Sequence, residues 1–106
     1  MSKAHHDDRY YDFSMKRWPK CFFCGQRPVQ QMHHLSAVGS AHYRGVAPRR
    51  SSTYNAVGVC RQCHEAVHDS VGEQRMIEAF LGGREEMYRR LTRRLHEYID
   101  HLRGVT

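Results

Sequence analysis

The sequence predicts a small α+β domain, stapled by a four-cysteine zinc site and closed by two C-terminal helices. Three observations carry that prediction. The cysteines come as Cys21-Phe-Phe-Cys24 and Cys60-Arg-Gln-Cys63, two pairs of equal spacing. Two short runs with strand-forming residues, 29–35 and 57–59, flank a Gly- and Ser-rich stretch. Beyond residue 70, apolar side chains recur at helical spacing instead. The 106 residues make one domain with a limited apolar core, for which a metal staple is a natural support.

Taken in order, residues 1–20 form an N-terminal arm whose Tyr10, Tyr11, Phe13 and Trp18 follow no regular period. They are expected either to pack over the core or to stay a partly ordered arm. Pro19 introduces the first cysteine pair, and Gly25 stands where the turn asks for a positive φ. Residues 29–35 read as a short strand. Gly39, Ser40, Gly45 and Pro48 make 36–53 a long loop, a feature that in small domains is usually functional or disordered. Val57 and Val59 belong to a second short strand, and a helix is expected over 61–69. The next helix, over 72–81, places Met76, Ile77, Phe80 and Leu81 on one face and ends at Gly82-Gly83. The last, over 84–103, aligns Met87, Leu91, Leu95, Tyr98, Ile99 and Leu102. That stripe is read first as core, and an exposed part of it as a surface for a homodimer. The expected organisation is an arm (1–20), a core (21–69) and a helical extension (70–106), with no internal repeat.

Seventeen Lys and Arg against eleven Asp and Glu leave a formal charge of +6. The distribution says more than the total. Between Asp12 and Glu65 there is no carboxylate, yet Lys16, Arg17, Lys20, Arg27, Arg44, Arg49, Arg50 and Arg61 lie there. A polyanion is the expected partner, because Lys and Arg drive non-specific nucleic-acid binding by neutralising phosphates. Arg27, Arg44, Arg49 and Arg50 are the candidates for gripping phosphate, each weighed against a plain solvated charge. No apolar run follows the N-terminal Met-Ser-Lys-Ala, so the reading is of a cytoplasmic chain with no membrane segment. In a reducing compartment, paired cysteines hold metal more often than they form disulfides.

Tetrahedral zinc takes four thiolates, and each C-x-x-C turn delivers two of them to one point. Cys21, Cys24, Cys60 and Cys63 are therefore the expected ligands of a structural Zn²⁺. Four thiolates leave no open position for water or substrate.

The histidines suggest a second centre. His33 and His34 are adjacent in the first expected strand, so they point to opposite faces. One can hold metal while the other faces a substrate. His64 and His68, four apart on an expected helix, would share a face and could bind one ion. With no acidic residue over 13–64, a metal here must lean on imidazole. That favours zinc, nickel or manganese, with magnesium bound weakly and shared with a substrate phosphate. His42, in the long loop, is read as a surface residue.

The set Cys21-Phe-Phe-Cys24-Gly25, His33-His34-Leu35, Asn55, Cys60-Arg-Gln-Cys63-His64 and His68 resembles the HNH endonucleases. These have a ββα-metal (His-Me finger) core, and the paired cysteines match their zinc-stapled subgroup. The likeness covers residues 21–69, with intervals of nine from Asn55 to His64 and four from His64 to His68. It implies a metal-dependent phosphodiesterase acting on DNA, branched or single-stranded DNA included. It further implies that His34 is the general base, with Asn55 holding it in orientation. His33, His64 and His68 would be ligands of one catalytic divalent metal. Small phage and prophage nucleases are similar, which implies the cytoplasm of a bacterial or phage-infected cell. Gln30 and Gln31 stand where relatives often carry acidic residues. Two readings from other classes compete: a zinc-stabilised DNA-binding module without catalysis, and a protein-interaction zinc domain.

Overall fold

A computed structural model describes residues 7–35 and 53–104. Most of the expected loop, with His42, Arg44, Arg49 and Arg50, lies outside the described residues.

Residues of the expected arm form a helix, α1 (Asp8–Arg17). Asp7 caps it, accepting the main-chain N–H of Arg9, and the helix stops before Trp18-Pro19, where the α conformation is disfavoured. Its periodicity is hidden because the buried positions are Tyr10 and Ser14, so the inward face is half polar. Tyr10 meets Tyr54 and Tyr98 edge to face, at centroid distances of 5.3 and 5.0 Å. The Asp7 carboxylate accepts from both tyrosine hydroxyls, 3.0 Å from Tyr54 and 2.7 Å from Tyr98. A small aromatic core, with Leu95, Phe13 and Trp18, thus fixes α1 against the last helix.

The fold is α+β, with a two-stranded antiparallel sheet of β1 (Gln31–His34) and β2 (Ala56–Val59). Gln31 pairs with Val59, Met32 with Gly58, His33 with Val57 and His34 with Ala56. The pairing extends past both ends: Gln30 N–H reaches the Val59 carbonyl at 2.8 Å and Leu35 N–H the Asn55 carbonyl at 3.2 Å. All four residues of β2 are buried, whereas β1 has both ends exposed. β2 therefore runs through the core and β1 lies at its edge.

Three helical segments follow: α2 (Arg61–Ala66), α3 (Ser70–Met76) and α4 (Arg84–Leu102). A π-helical turn, Ile77–Leu81, prolongs α3, and Gly82 closes it in the left-handed conformation at φ 88°. The wider turn explains one departure from expectation. Ile77 and Leu81, four apart, stay buried, but Phe80, three after Ile77, is 47% exposed. In a helix with i→i+5 bonding four residues come closer to a full turn than three do. Met87, Leu91, Leu95 and Tyr98 are buried as expected, and Leu102 is exposed. The main core joins Phe22, Phe23, Leu35, Val57, Val59, Ile77 and Leu91 with three of the cysteines. Arg94 bridges the two cores, its guanidinium 4.5 Å from the Trp18 ring centre and 4.8 Å from that of Phe22. Burial brings that guanidinium down to about 10. No helix among the described residues is long and apolar enough to cross a membrane.

Candidate metal centres

The first cysteine pair sits on a tight turn. Cys21 N–H donates to the Arg27 carbonyl and Gly25 N–H to the Cys21 carbonyl, both at 2.9 Å, and Gly25 takes φ 63°. The second pair opens α2, where Cys60 is the N-cap and its Sγ accepts the Cys63 N–H at 3.4 Å. These two turns bring four Sγ atoms within 4.8 Å of one another. The Cys24 and Cys60 sulfurs are 3.9 Å apart. That is far beyond a disulfide bond, and a tetrahedron with Zn–S of about 2.3 Å requires S···S of about 3.8 Å. The donor set and its size fit a structural zinc.

The local field already favours thiolate. Burial pushes Cys60 up, but the Arg27 guanidinium and the Cys63 N–H outweigh it and bring the thiol down to about 6. Burial likewise opposes the main-chain N–H groups of Arg27 and Gln26 at Cys24, which settles below the ordinary value. Cys63 goes the other way, raised by burial and by its three sulfur neighbours. Four thiols so close cannot all ionise without a cation among them. Arg27, a candidate phosphate contact, here turns Nε toward Cys60 Sγ at 3.4 Å.

The histidines lie on the two elements next to this cluster. His33 is half-buried on β1, and His34, beside it, is exposed. The His33 and His64 rings meet edge to face, with centroids 5.7 Å apart and planes at 76°. His64 directly follows Cys63, so the turn that positions the thiolates also positions this imidazole. Asn55 is fully buried at the foot of β2, one residue before the partner of His34.

His68 does not join them as expected. The helix ends at Ala66 rather than Asp69, because Asp69 caps the next helix, taking the Gly72 N–H at 2.6 Å. Gly72 passes so close that a Cβ there would collide with the Ala66 carbonyl oxygen, and this tight corner leaves no room for another turn of α2. His68 is 76% exposed, with Nδ1 3.1 Å from the Glu65 carbonyl and Nε2 3.5 Å from Asp69 Oδ2. Among the described residues, the four cysteines are the one group of three or more such donors gathered closely enough for a metal. His33, His64 and His68 do not form a second.

Sequence reasoning missed Glu73. It lies outside the acid-free stretch but returns to it: its Oε2 is 2.7 Å from His33 Nε2, with the carboxylate 2% exposed. A signal existed. Glu73, Ile77 and Leu81 are spaced by four, so an acidic residue shares the face of the helix that Ile77 and Leu81 bury. This contact places beside His33 a carboxylate that the composition of 13–64 does not supply.

Set against known proteins, the chain matches no family model, no curated protein and no solved structure. What stands is a small α+β fold with a two-stranded antiparallel sheet, C-terminal helices and a cysteine cluster suited to zinc, an arrangement consistent with a zinc-stapled ββα-metal architecture.

Proposed function

We propose that the protein is a metal-dependent endonuclease of the HNH type, hydrolysing phosphodiester bonds in DNA. The observation that carries this reading is the pairing of His33 with His64, rings 5.7 Å apart, beside an exposed His34 on the neighbouring strand position. Two imidazoles from different elements share one space, and a third is displayed to solvent.

In this reading His33 and His64 would hold one divalent ion, which would supply charge neutralisation at the scissile phosphate. His34 takes a proton from water, and the oxygen so activated attacks phosphorus as the P–O3′ bond breaks, the departing O3′ taking up a proton from solvent water. A neutral imidazole is a common general base for such a step. Asn55 anchors the end of the strand pair, where its carbonyl holds the Leu35 N–H, and so keeps His34 in register. The zinc cluster has a structural role, and with Arg27 turned to Cys60 the phosphate contacts fall to Arg44, Arg49 and Arg50.

The competing reading, a zinc-stabilised DNA-binding module without catalysis, has one observation in its favour. Among the described residues two imidazoles approach each other, not three. Incubating plasmid DNA with wild type and His34→Ala in Mg²⁺, Mn²⁺, Ni²⁺ or EDTA separates the two. Cleavage by wild type alone, abolished by EDTA, supports the nuclease. DNA binding with no cleavage by either protein supports the module.

A further inference from the structure

We propose that Glu73 is the positioning residue of the histidine centre. Its carboxylate holds the His33 ring through Nε2 and leaves Nδ1 as the nitrogen that takes the metal ion. The proposal rests on the reading of His33 and His64 as ligands.

The geometry is specific. Oε2 of Glu73 lies 2.7 Å from Nε2 of His33, with side-chain exposures of 2% and 14%. An imidazole has two ring nitrogens, and one that donates N–H to a carboxylate presents the other as a lone pair. Histidines that bind metal almost always donate the second nitrogen in this way, which fixes the tautomer, orients the ring and raises its basicity. The His64 ring is the neighbouring imidazole, its centroid 5.7 Å from that of His33 with the two planes at 76°.

Stability alone does not account for the contact. Glu73 occupies the helix face it shares with Ile77 and Leu81, both buried. A buried carboxylate is costly to desolvate, and replacing a buried polar pair with well-packed apolar residues is often neutral or stabilising. A leucine or methionine would serve the core at least as well. A carboxylate does what those side chains cannot, since its Oε2 fixes one nitrogen of His33. It also supplies, from α3, the acid that residues 13–64 lack.

The test uses zinc-loaded full-length protein. Wild type, Glu73→Gln and His33→Ala are titrated with Ni²⁺ by calorimetry, His33→Ala giving the background from other histidines, and cleavage is followed against Ni²⁺ concentration. Gln keeps the shape but replaces the charged acceptor with a neutral amide that can turn its NH₂ to the ring, and a thermal melt without Ni²⁺ checks that it folds. Glu73→Gln is expected to bind Ni²⁺ about 10–100-fold more weakly. It should need more metal for half-maximal cleavage, approach the wild-type rate at saturation and melt like wild type. Unchanged Ni²⁺ affinity in a folded Glu73→Gln overturns the proposal and leaves the nuclease reading intact. Wild type binding no Ni²⁺ above the His33→Ala background overturns both. A measurement independent of any variant is ¹⁵N NMR of the His33 ring. The proton is expected on Nε2, with Nδ1 moving on addition of a second equivalent of Zn²⁺. Movement of Nε2 instead overturns the assignment.

Discussion

Phe22 donates its main-chain N–H to the Gly58 carbonyl at 2.9 Å, tying the first cysteine turn to the strand that runs into the second. Gly58 is required for this approach. A Cβ on it would lie 2.6 and 2.8 Å from the two methyl groups of Val29, so an added methyl pushes the first turn away from the sheet. Gly58→Ala should cost about 1–3 kcal/mol through overpacking. It should also speed zinc loss, since the Val29 N–H holds the Pro19 carbonyl and so closes the loop that carries Cys21 and Cys24. Chemical denaturation and zinc transfer to a chromogenic chelator measure the two effects. Lost stability with wild-type zinc release would show that the turn moves independently of the strand.

Zinc removal is expected to do more than loosen one corner. Three of the four cysteines belong to the main core, with Phe22, Val59 and Leu91. Cys63→Ser should therefore purify with less than one zinc per chain and melt far below wild type. Structural zinc sites contribute their binding energy directly to folding, on the order of 10 kcal/mol in zinc-finger peptides. Metal analysis and a thermal melt with and without a strong chelator decide it. A chelator-treated wild type that melts unchanged would mean the hydrophobic clusters suffice.

How much of this was legible depended on whether the signal was local. Two C-x-x-C turns announce their own geometry, and the stripe Met87-Leu91-Leu95-Tyr98 announces a helix whose one face is buried. α1 was not legible, because Tyr10 and Ser14 face inward together and the residues that hold it, Tyr54 and Tyr98, are far away in the chain. The histidine centre was half legible. Residues 33 and 64 were marked by neighbouring motifs, whereas the end of α2 before His68 follows from the tight passage of Gly72 under Ala66. Glu73 escaped because its partner is 40 residues away. Composition within a segment says nothing about what another element folds back into it.

Acid should loosen the aromatic core through Asp7. Burial raises this carboxyl, but hydrogen bonds from Tyr98, Tyr54 and Arg9 outweigh it, and its pKa falls below the ordinary 3.8. A folded-state pKa below the unfolded one means the contribution is complete above about pH 4 and is lost as pH falls through the folded value. Asp7→Asn keeps a good N-cap but cannot titrate, so its stability should fall less steeply below pH 4 than that of wild type. Tyr98, pushed up to about 12 by burial and by Asp7, should titrate at lower pH in the same variant. Denaturation across pH and a phenolate absorbance titration report these outcomes. Parallel acid limbs would remove Asp7 from the account.

The two histidines after the second cysteine pair should behave differently, although their spacing alone made them equivalent. His64 faces His33 at 5.7 Å, while His68 sits at the corner after α2, 76% exposed and facing Glu65 and Asp69. Replacing an exposed side chain with local partners usually changes stability by about 0.5 kcal/mol or less. His68→Ala should therefore retain wild-type Ni²⁺ affinity and metal-dependent cleavage. His64→Ala should lose both, because one imidazole cannot replace two. Its melt with zinc bound should remain close to wild type, since the thiolate cluster is untouched. Calorimetric Ni²⁺ titration of the two variants side by side gives the comparison. If His68→Ala loses metal as completely as His64→Ala, the corner at Ala66–Asp69 must rearrange when the ion binds, and the two-histidine centre would have to be redrawn with three.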